Sequence, residues 1–311
     1  MNVGVFIGDA NGERTTVAAL QAQAQAAEAA GFVTGWVPHI PWSLDGLTAL
    51  AIAGMVTDRL ELGTAVMPTY TRHPLTMAQQ ALSADAVAPG RVTLGIGPSH
   101  PVVIEKMYGL GYDRPITHVR EYIAVLREAF EGPGQVVFDG DLYHTDALLQ
   151  VPGGGPMPIL VAALAPQMLR LAGTVAEGTI AYWADERAIG EHVVPLITDA
   201  AGAAGRPPPR VVAGLPIAIV DDPGAVRDQA TRMLSAYTAI PTYQRILARG
   251  AAAHPVDVAL IGDEAHALRR LRAFADAGAT DLCAAPLGLG PDGEATKRRT
   301  LDWLASLTPG L

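Results

Sequence analysis

Cysteine and lysine are scarce in this chain of 311 residues. Its single cysteine, Cys283, has no second cysteine for an internal disulfide, and its apolar surroundings are typical of a small buried side chain. The two lysines, Lys106 and Lys297, do not follow a predicted strand, which disfavours a Schiff-base mechanism. No His-x-x-His, Cys-x-x-Cys or carboxylate cluster indicates a metal site.

Positive charge and long apolar segments are also lacking. The net charge is −9, and no cluster of lysine and arginine stands out, which argues against a general nucleic-acid surface. The apolar run over residues 47–56 is too short to span a bilayer, and residues 1–9 carry no basic region or cleavage site. We therefore expect a cytoplasmic protein whose partner is a small molecule, with no nucleic acid and no membrane.

What the chain has in abundance is an alternation of short apolar runs with helix-like segments. Helical crossovers between buried strands force a parallel sheet with right-handed connections, and eight such strands favour closure. The sequence thus predicts a single (β/α)8 TIM barrel of the α/β class, with residues 1–311 as one domain. The role of a further strand-like run, at residues 256–261, stays open. The eight predicted strands are residues 3–7, 33–37, 60–66, 92–96, 159–162, 179–183, 211–220 and 281–285.

The alternation breaks between residues 98 and 157, a stretch too long for one crossover. It contains a helix that begins at Pro115, followed by two short β-prone runs around Asp139-Gly140, which is a hairpin signal. We interpret this stretch as an insertion after the fourth strand. We expect it to lie over the mouth of the barrel, the end at which the strands finish.

The carboxyl ends of the strands are where a parallel barrel carries its chemistry. His39 follows the second strand, where its imidazole can project into the mouth with a pKa suited to proton donation. After the first strand, residues 8–12 lack the Gly-x-Gly-x-x-Gly fingerprint of a Rossmann dinucleotide site.

Three further strand ends supply candidates for ligand binding. The glycines of the fourth strand let backbone approach a ligand closely. A run of small residues before Pro166 predicts a strand that turns into a helix with outward N–H groups, a natural anion site. Aromatic residues end the sixth strand and can wall a pocket. The candidate cofactor-binding residues are Gly97, Pro98, Ser99 and His100, then Ala162, Ala163, Leu164 and Ala165, and finally Tyr182 and Trp183.

The order of these elements resembles the luciferase-like flavin and deazaflavin oxidoreductases, single-domain (β/α)8 barrels that bind FMN or coenzyme F420. The resemblance covers nearly the whole chain. It rests on the stretch 59–101, on Gly31-Phe32, Trp36-Val-Pro-His39 and Arg120-Glu-Tyr122, and on residues 158–166 and 171–173.

The resemblance implies roles for particular residues. A bulge at Ala65-Val66 would contain a non-prolyl cis peptide that supports one face of the deazaflavin ring, and His39 would be the catalytic proton donor. Two positions depart from the family pattern. Pro38 stands where an aspartate often precedes that histidine, and His100 stands where some sugar-phosphate-oxidising relatives have a catalytic glutamate. We interpret His100 as a second catalytic or cofactor-binding residue.

The resulting prediction is an F420-dependent oxidoreductase that transfers a hydride between the deazaflavin and a small organic substrate, in the direction of reduction. Two alternatives stay open: an FMN-dependent luciferase-like monooxygenase fed by a separate flavin reductase, and a noncatalytic flavin-binding barrel. The resemblance also implies a homodimer, with the helices near strands two to four at its interface.

The remaining histidines are predicted to have no catalytic role. We expect His73 to be structural, next to a proline that begins the following helix. Others lie on predicted helices or their edges, and we expect them to be solvated. Examples are His118, His192 and His266.

Overall fold

Short strands recur along the whole of the computed structural model, which describes residues 1–10, 12, 14–132 and 134–308. In chain order they are β1 Asn2–Phe6, β2 Thr34–Val37, β3 Glu61–Thr64, β4 Met67–Pro68, β5 Val92–Gly97, β6 Gly134–Asp139, β7 His144–Leu149, β8 Ile159–Ala162, β9 Gly178–Tyr182, β10 Arg210–Ile219, β11 Leu260–Gly262 and β12 Asp281–Pro286.

Helices connect these strands, and among the described residues none is long and apolar enough to cross a bilayer. A π-helical turn at Ile189–Val193 precedes α8, and a 3-10 turn at Ser235–Ala239 follows α9. The helices are α1 Val17–Ala29, α2 Gly46–Gly54, α3 Pro74–Val87, α4 Pro101–Lys106, α5 Pro115–Phe130, α6 Pro166–Val175, α7 Glu186–Ala188, α8 Val194–Ala203, α9 Pro223–Leu234, α10 Pro241–Leu247, α11 Pro255–Val258, α12 Glu264–Asp276 and α13 Gly293–Ser306.

Eight of the strands form a closed parallel barrel. Pairing runs from β1 through β2, β3, β5, β8, β9, β10 and β12, and β12 pairs with β1 again. At the closure, Gly4 of β1 lies opposite Cys283 on one side and Thr34 on the other. The predicted TIM barrel is confirmed. The run at residues 256–261 divides into part of α11 and the short β11, which pairs with β10 outside the closed ring.

The outer helices begin and end where the sequence supplies the necessary groups. Thr16 Oγ1 accepts the N–H of Ala19 at 3.2 Å at the start of α1, and Gly31, with a φ of 82°, follows its end. Pro74 occupies the first turn of α3, as predicted. These local signals explain where α1 begins and ends and where α3 begins.

Large apolar side chains fill the barrel interior. Five buried residues form one interior cluster. Phe6, Ala65 and Val66 pack against this cluster and are only half-buried. The burial of Cys283 agrees with the expectation from sequence, and it raises the pKa of the thiol, which keeps the group unreactive. The cluster consists of Trp36, Leu160, Ile180, Val212 and Cys283.

A charged network closes the opposite end of the barrel, the base. Its members are the first residues of β1, β2, β3, β10 and β12. Arg210 donates to Glu61 at 2.7 Å and to Asp281 at 2.8 Å. Thr34 donates to Glu61 at 2.9 Å, and Asn2 donates to Asp281 at 3.2 Å. We call these five residues the base network. Each of its charges is paired, as buried charges require.

The insertion contains the predicted hairpin, which two carboxylates on outer helices help to hold. β6 and β7 pair antiparallel, with the turn after Asp139. Glu121 of α5 accepts the backbone N–H of Leu142 in this turn at 2.8 Å. Asp85 of α3 accepts the N–H of Gly155, which follows the hairpin, at 2.9 Å. That the insertion lies over the mouth stays a prediction.

Candidate functional site

The third barrel strand is followed by the non-prolyl cis peptide that the family resemblance implied. The peptide between Ala65 and Val66 is cis. Both residues are half-buried, whereas Thr64 and Met67 on either side are fully buried. The predicted conformation is confirmed, and these two side chains lie at the mouth end of the interior cluster.

Glycines bring β5 very close to its neighbours at the mouth. A Cβ on Gly95 would overlap the carbonyl oxygen of Thr64, whose hydroxyl donates to Gly95 O at 2.7 Å. A Cβ on Gly97 would lie 3.0 Å from the Cβ of Ala162 and 3.2 Å from Cγ2 of Val66. Small side chains from three strands therefore form one continuous surface. We call it the shelf, and it consists of Ala65, Val66, Gly97 and Ala162.

The chain leaves β5 in an uncommon conformation. Ser99 has a φ of 61°, in the left-handed region that non-glycine residues seldom adopt, and the hydroxyl of Tyr112 donates to its carbonyl oxygen at 3.3 Å. The next residue, His100, is half-buried, and its Nε2 lies 3.4 Å from the hydroxyl of Tyr243. Burial lowers the pKa of His100, so the ring is neutral near pH 7. Pro98 is half-buried beside them.

His39 lies at the end of β2, held by groups at the start of α2. Its Nδ1 accepts the backbone N–H of Gly46 at 3.2 Å and lies 3.4 Å from Oδ2 of Asp45, which is paired with Arg72. A neutral ring that accepts at Nδ1 carries its proton on Nε2. Burial and the charge of Arg72 lower the pKa of His39, against the opposing effect of Asp45. The pKa of His39 is thus lowered from the ordinary value of a histidine.

At the β8 corner the strand turns into α6, as the sequence predicts, and the anion site there stays a prediction. Ala162 and Leu164 are half-buried, Ala163 is buried and Ala165 is exposed. Among the described residues, no side chain caps the start of α6, which leaves N–H groups of its first turn for other acceptors. His192 Nε2 donates to the carbonyl oxygen of Leu164 at 2.8 Å. The expectation that His192 is solvated is wrong, because its ring is buried against this corner.

Aromatic rings occupy the β9 side of the mouth. Trp183 is fully buried and has a φ of 66°, a strained value for a bulky residue. Its ring lies 4.7 Å from that of Tyr237 and 6.3 Å from that of Tyr243. The ring of Tyr182 stands edge-on to Phe6, with centroids 6.4 Å apart. Tyr182 therefore lies on this side of the mouth together with two tyrosines from the segment that follows β10, whereas Trp183 is buried against their rings. That these rings wall a ligand pocket stays a prediction.

A second aromatic group joins the insertion to the ends of β4 and β5. His118 donates from Nε2 to Thr69 Oγ1 at 2.8 Å, accepts from the hydroxyl of Tyr143 at 3.1 Å, and stacks on Tyr70 with centroids 3.8 Å apart. Thr69 in turn donates to Gly97 O. Burial lowers the pKa of His118 to about 4. The expectation that His118 is solvated is wrong, since these bonds hold it inside.

The remaining histidine predictions have mixed outcomes. His73 Nδ1 accepts the N–H of Leu75 at 3.3 Å and caps α3, which confirms its structural role. His266 is partly exposed at the start of α12. No group of three or more metal-ligating side chains is assembled in the part of the chain that the structure describes.

The structure thus places the predicted residues in two groups at the mouth, the shelf on the β3, β5 and β8 side and the rings on the β9 side. Sequence reasoning missed three contributors. Asp45 carried a signal as the N-cap of a helix, but Tyr237 and Tyr243 did not, because they follow no barrel strand.

This closed parallel barrel, with small residues at the strand ends, defines a protein of the TIM-barrel class. The chain belongs to the luciferase-like monooxygenase family, whose model matches residues 1–298. Its relatives include a reductase and a dehydrogenase, both of which are oxidoreductases.

Three known proteins illustrate the similarity. A 5,10-methylenetetrahydromethanopterin reductase of Methanolobus tindarius is 30% identical over 241 residues, covering 77% of this chain and 72% of the relative. An F420-dependent glucose-6-phosphate dehydrogenase of Mycolicibacterium gilvum is 32% identical over 181 residues, covering 55% of this chain and 52% of the relative. The structure of an F420-dependent secondary alcohol dehydrogenase in complex with an F420-acetone adduct has a TM-score of 0.80 at 18% identity, covering 99% and 98% of the two chains. That structural likeness concerns the fold.

Proposed function

We propose that this protein is an F420-dependent oxidoreductase that transfers a hydride between the deazaflavin and a small organic substrate, acting as a reductase. The observation that carries the proposal is the shelf, where Ala65, Val66 and Ala162 are half-buried and Gly97 has no Cβ to crowd Val66 and Ala162. The relative at 32% identity is F420-dependent, which supports F420 over FMN.

The residues at the mouth fit a flat tricyclic ring with a phosphate-bearing side chain. Gly97 keeps the shelf free of a Cβ that would crowd Val66 and Ala162. The uncapped first turn of α6 offers N–H groups to a phosphate. Ser99 and His100 add a hydroxyl and an imidazole near the shelf, and Tyr182 and Trp183 bound the opposite side. When bound, the deazaflavin supplies hydride chemistry with little reactivity toward oxygen.

His39 is the proposed proton donor. Its Nδ1 is held by Gly46 N–H, so the ring orientation is fixed and the proton sits on Nε2. The residue hydrogen-bonds through Nε2 to the substrate atom that gains negative charge, and Asp45 stabilises the ring whenever it is protonated. His100 is the proposed second group at the mouth, binding cofactor or substrate through its imidazole.

Cofactor titration tests the proposal. The intrinsic fluorescence anisotropy of F420 and of FMN is measured against increasing protein. Gly202→Ala is titrated beside the wild type as a control that should bind equally well, because a Cβ there meets nothing within 4 Å. We expect micromolar F420 affinity and much weaker FMN affinity. Micromolar FMN binding without F420 binding favours the FMN-dependent monooxygenase. F420 binding without turnover of any enone or imine favours the noncatalytic barrel.

We also propose that the chain acts as one domain and assembles as a homodimer through α2 and α3. These helices lie side by side on the barrel, and they are bordered by the exposed apolar side chains of Met55, which is 74% exposed, and Val87, which is 40% exposed. Light scattering tests the assembly: we expect a dimer that Met55→Asp converts to monomer, and a monomeric wild type contradicts the proposal.

A further inference from the structure

Four polar ring groups converge on the β9 side of the mouth. Tyr182, Tyr237 and Tyr243 have ring centroids 5.8 to 6.4 Å apart in successive pairs, and the ring of His100 lies 5.1 Å from that of Tyr243. We call these four residues the phenol cluster. Tyr182 ends β9, and His100 lies in the loop after β5. Tyr237 and Tyr243 come from the segment between β10 and α11.

The phenol cluster offers hydrogen bonds but no charge. Burial raises the pKa of each tyrosine and lowers that of His100, so all four groups are neutral near pH 7. Within the described residues, the hydroxyls of Tyr182 and Tyr237 have no hydrogen-bond partner, and that of Tyr243 has only the long contact to His100. In the part of the chain that the structure describes, no charged side chain hydrogen-bonds to any of the four.

The segment that carries Tyr237 and Tyr243 is fixed to the barrel by a buried carboxylate. Asp185 follows β9, is 5% exposed, and accepts the N–H groups of Ala251 at 2.6 Å and Ala252 at 3.1 Å. The same side chain caps α7 through Ala188 N–H at 2.8 Å. Asp185 ties this segment to the end of β9, and the Trp183 ring packs against that of Tyr237. These contacts hold the phenols in place before any ligand arrives.

We infer that the phenol cluster is the substrate-binding wall of the site and that it selects a neutral substrate with a carbonyl or hydroxyl oxygen, bound through the hydroxyls of Tyr237 and Tyr243. The inference rests on the proposed function, since it takes the ligand to be the substrate of hydride transfer. Its basis is the chemistry of the wall, which is independent of any relative.

Selection against anions follows from the surroundings of the cluster. A carboxylate or phosphate that enters a half-buried aromatic wall loses water and finds no cation to replace it. A neutral oxygen has a smaller desolvation cost and gains a phenolic hydrogen bond. The wall therefore discriminates by charge more strongly than by shape.

A pair of probes that share a six-membered carbon ring, one neutral and one anionic, tests this inference. Cyclohexanone and cyclohexanecarboxylate are titrated by saturation-transfer NMR into the protein loaded with oxidised F420, a complex in which neither probe reacts. We expect the ketone to bind at least about tenfold more tightly than the carboxylate. Tyr243→Phe is expected to weaken the ketone roughly fivefold, whereas Tyr108→Phe, which alters an exposed tyrosine outside the cluster, leaves it unchanged.

Every outcome decides the question. Equal or tighter binding of the carboxylate, an unchanged affinity in Tyr243→Phe with native thermal stability, or no saturable binding of the ketone overturns the inference. F420 affinity is measured separately by anisotropy. If F420 fails to bind, the proposed function fails, and the same titrations in the unloaded protein still decide the charge preference of the wall.

Discussion

The two ends of the barrel are built from different chemistry. At the base, the first residues of five strands form a network in which Arg210 pairs with Glu61 and Asp281. At the mouth, the strand ends carry small side chains, neutral rings and a cis peptide. Polar groups at the base are satisfied by one another, whereas several at the mouth have no partner in the described part of the chain.

This difference indicates a division of labour. Paired charges at the base are already neutralised and offer nothing to a ligand, so their contribution is to the fold. Neutral donors and uncapped N–H groups at the mouth gain their partners only when a ligand binds. Substitutions at the base should therefore change stability, and substitutions at the mouth should change binding and turnover.

The largest effect is expected at the base. Arg210→Met leaves two carboxylates partly or fully buried without a cation, so the free energy of unfolding should fall by about 4 kcal/mol. Urea unfolding measures it, and Arg298→Met on the exposed face of α13 is the matched control, expected within about 0.5 kcal/mol of wild type. A loss as small as the control's would contradict the division described above.

A pH effect is expected where the insertion meets the mouth. The folded protein holds His118 neutral, with a pKa of about 4 against 6.5 for the free side chain. The contribution of the neutral ring to the free energy of unfolding is fully present above pH 6.5. It is lost as the pH falls toward 4, by about 3 kcal/mol in all. Unfolding measured across this range should show the slope in wild type and less of it in His118→Gln. Equal slopes in the two proteins would show that His118 does not cause the pH dependence of stability.

Turnover should depend on His39 more than affinity does. His39→Gln is expected to lower kcat about 100-fold, because proton transfer is lost, while the Kd for F420 stays within about threefold. His73→Gln, on an exposed ring that caps α3, is the control. Unchanged turnover in His39→Gln would show that the proton comes from another group.

Cofactor affinity should depend on the shelf. Gly97→Val places methyl groups against Val66 and Ala162, and we expect F420 affinity to fall about tenfold, with a loss of stability of about 1–3 kcal/mol from overpacking. Anisotropy measures the affinity, again with Gly202→Ala as the control. Full affinity in Gly97→Val would mean that the ring rests elsewhere.

Much of the fold could be predicted from sequence because its signals are local. Each of the eight barrel strands is a short apolar run. Helix ends are marked by Thr16, Gly31 and Pro74 through their own side chains or backbone. The contacts that hold the insertion could not be predicted, since they depend on Glu121 and Asp85, which are distant in sequence from the backbone they bind.

The site divides in the same way. Residues at strand ends, such as His39 and Gly97, were found because topology alone brings them to the mouth. Tyr243 contacts His100 across 143 positions of sequence, and neither composition nor spacing indicates that pairing. Burial of His118 and His192 was missed because a histidine on a helix gives no sign of which face it occupies.

A crystal structure of the protein soaked with F420 tests the central claim most directly. We predict the deazaflavin ring lying on Ala65 and Val66 beside Gly97, its phosphate at the first turn of α6, and the phenol cluster facing its open side. Density for the ring at any other place, or a mouth that excludes it at saturating F420, would contradict the account.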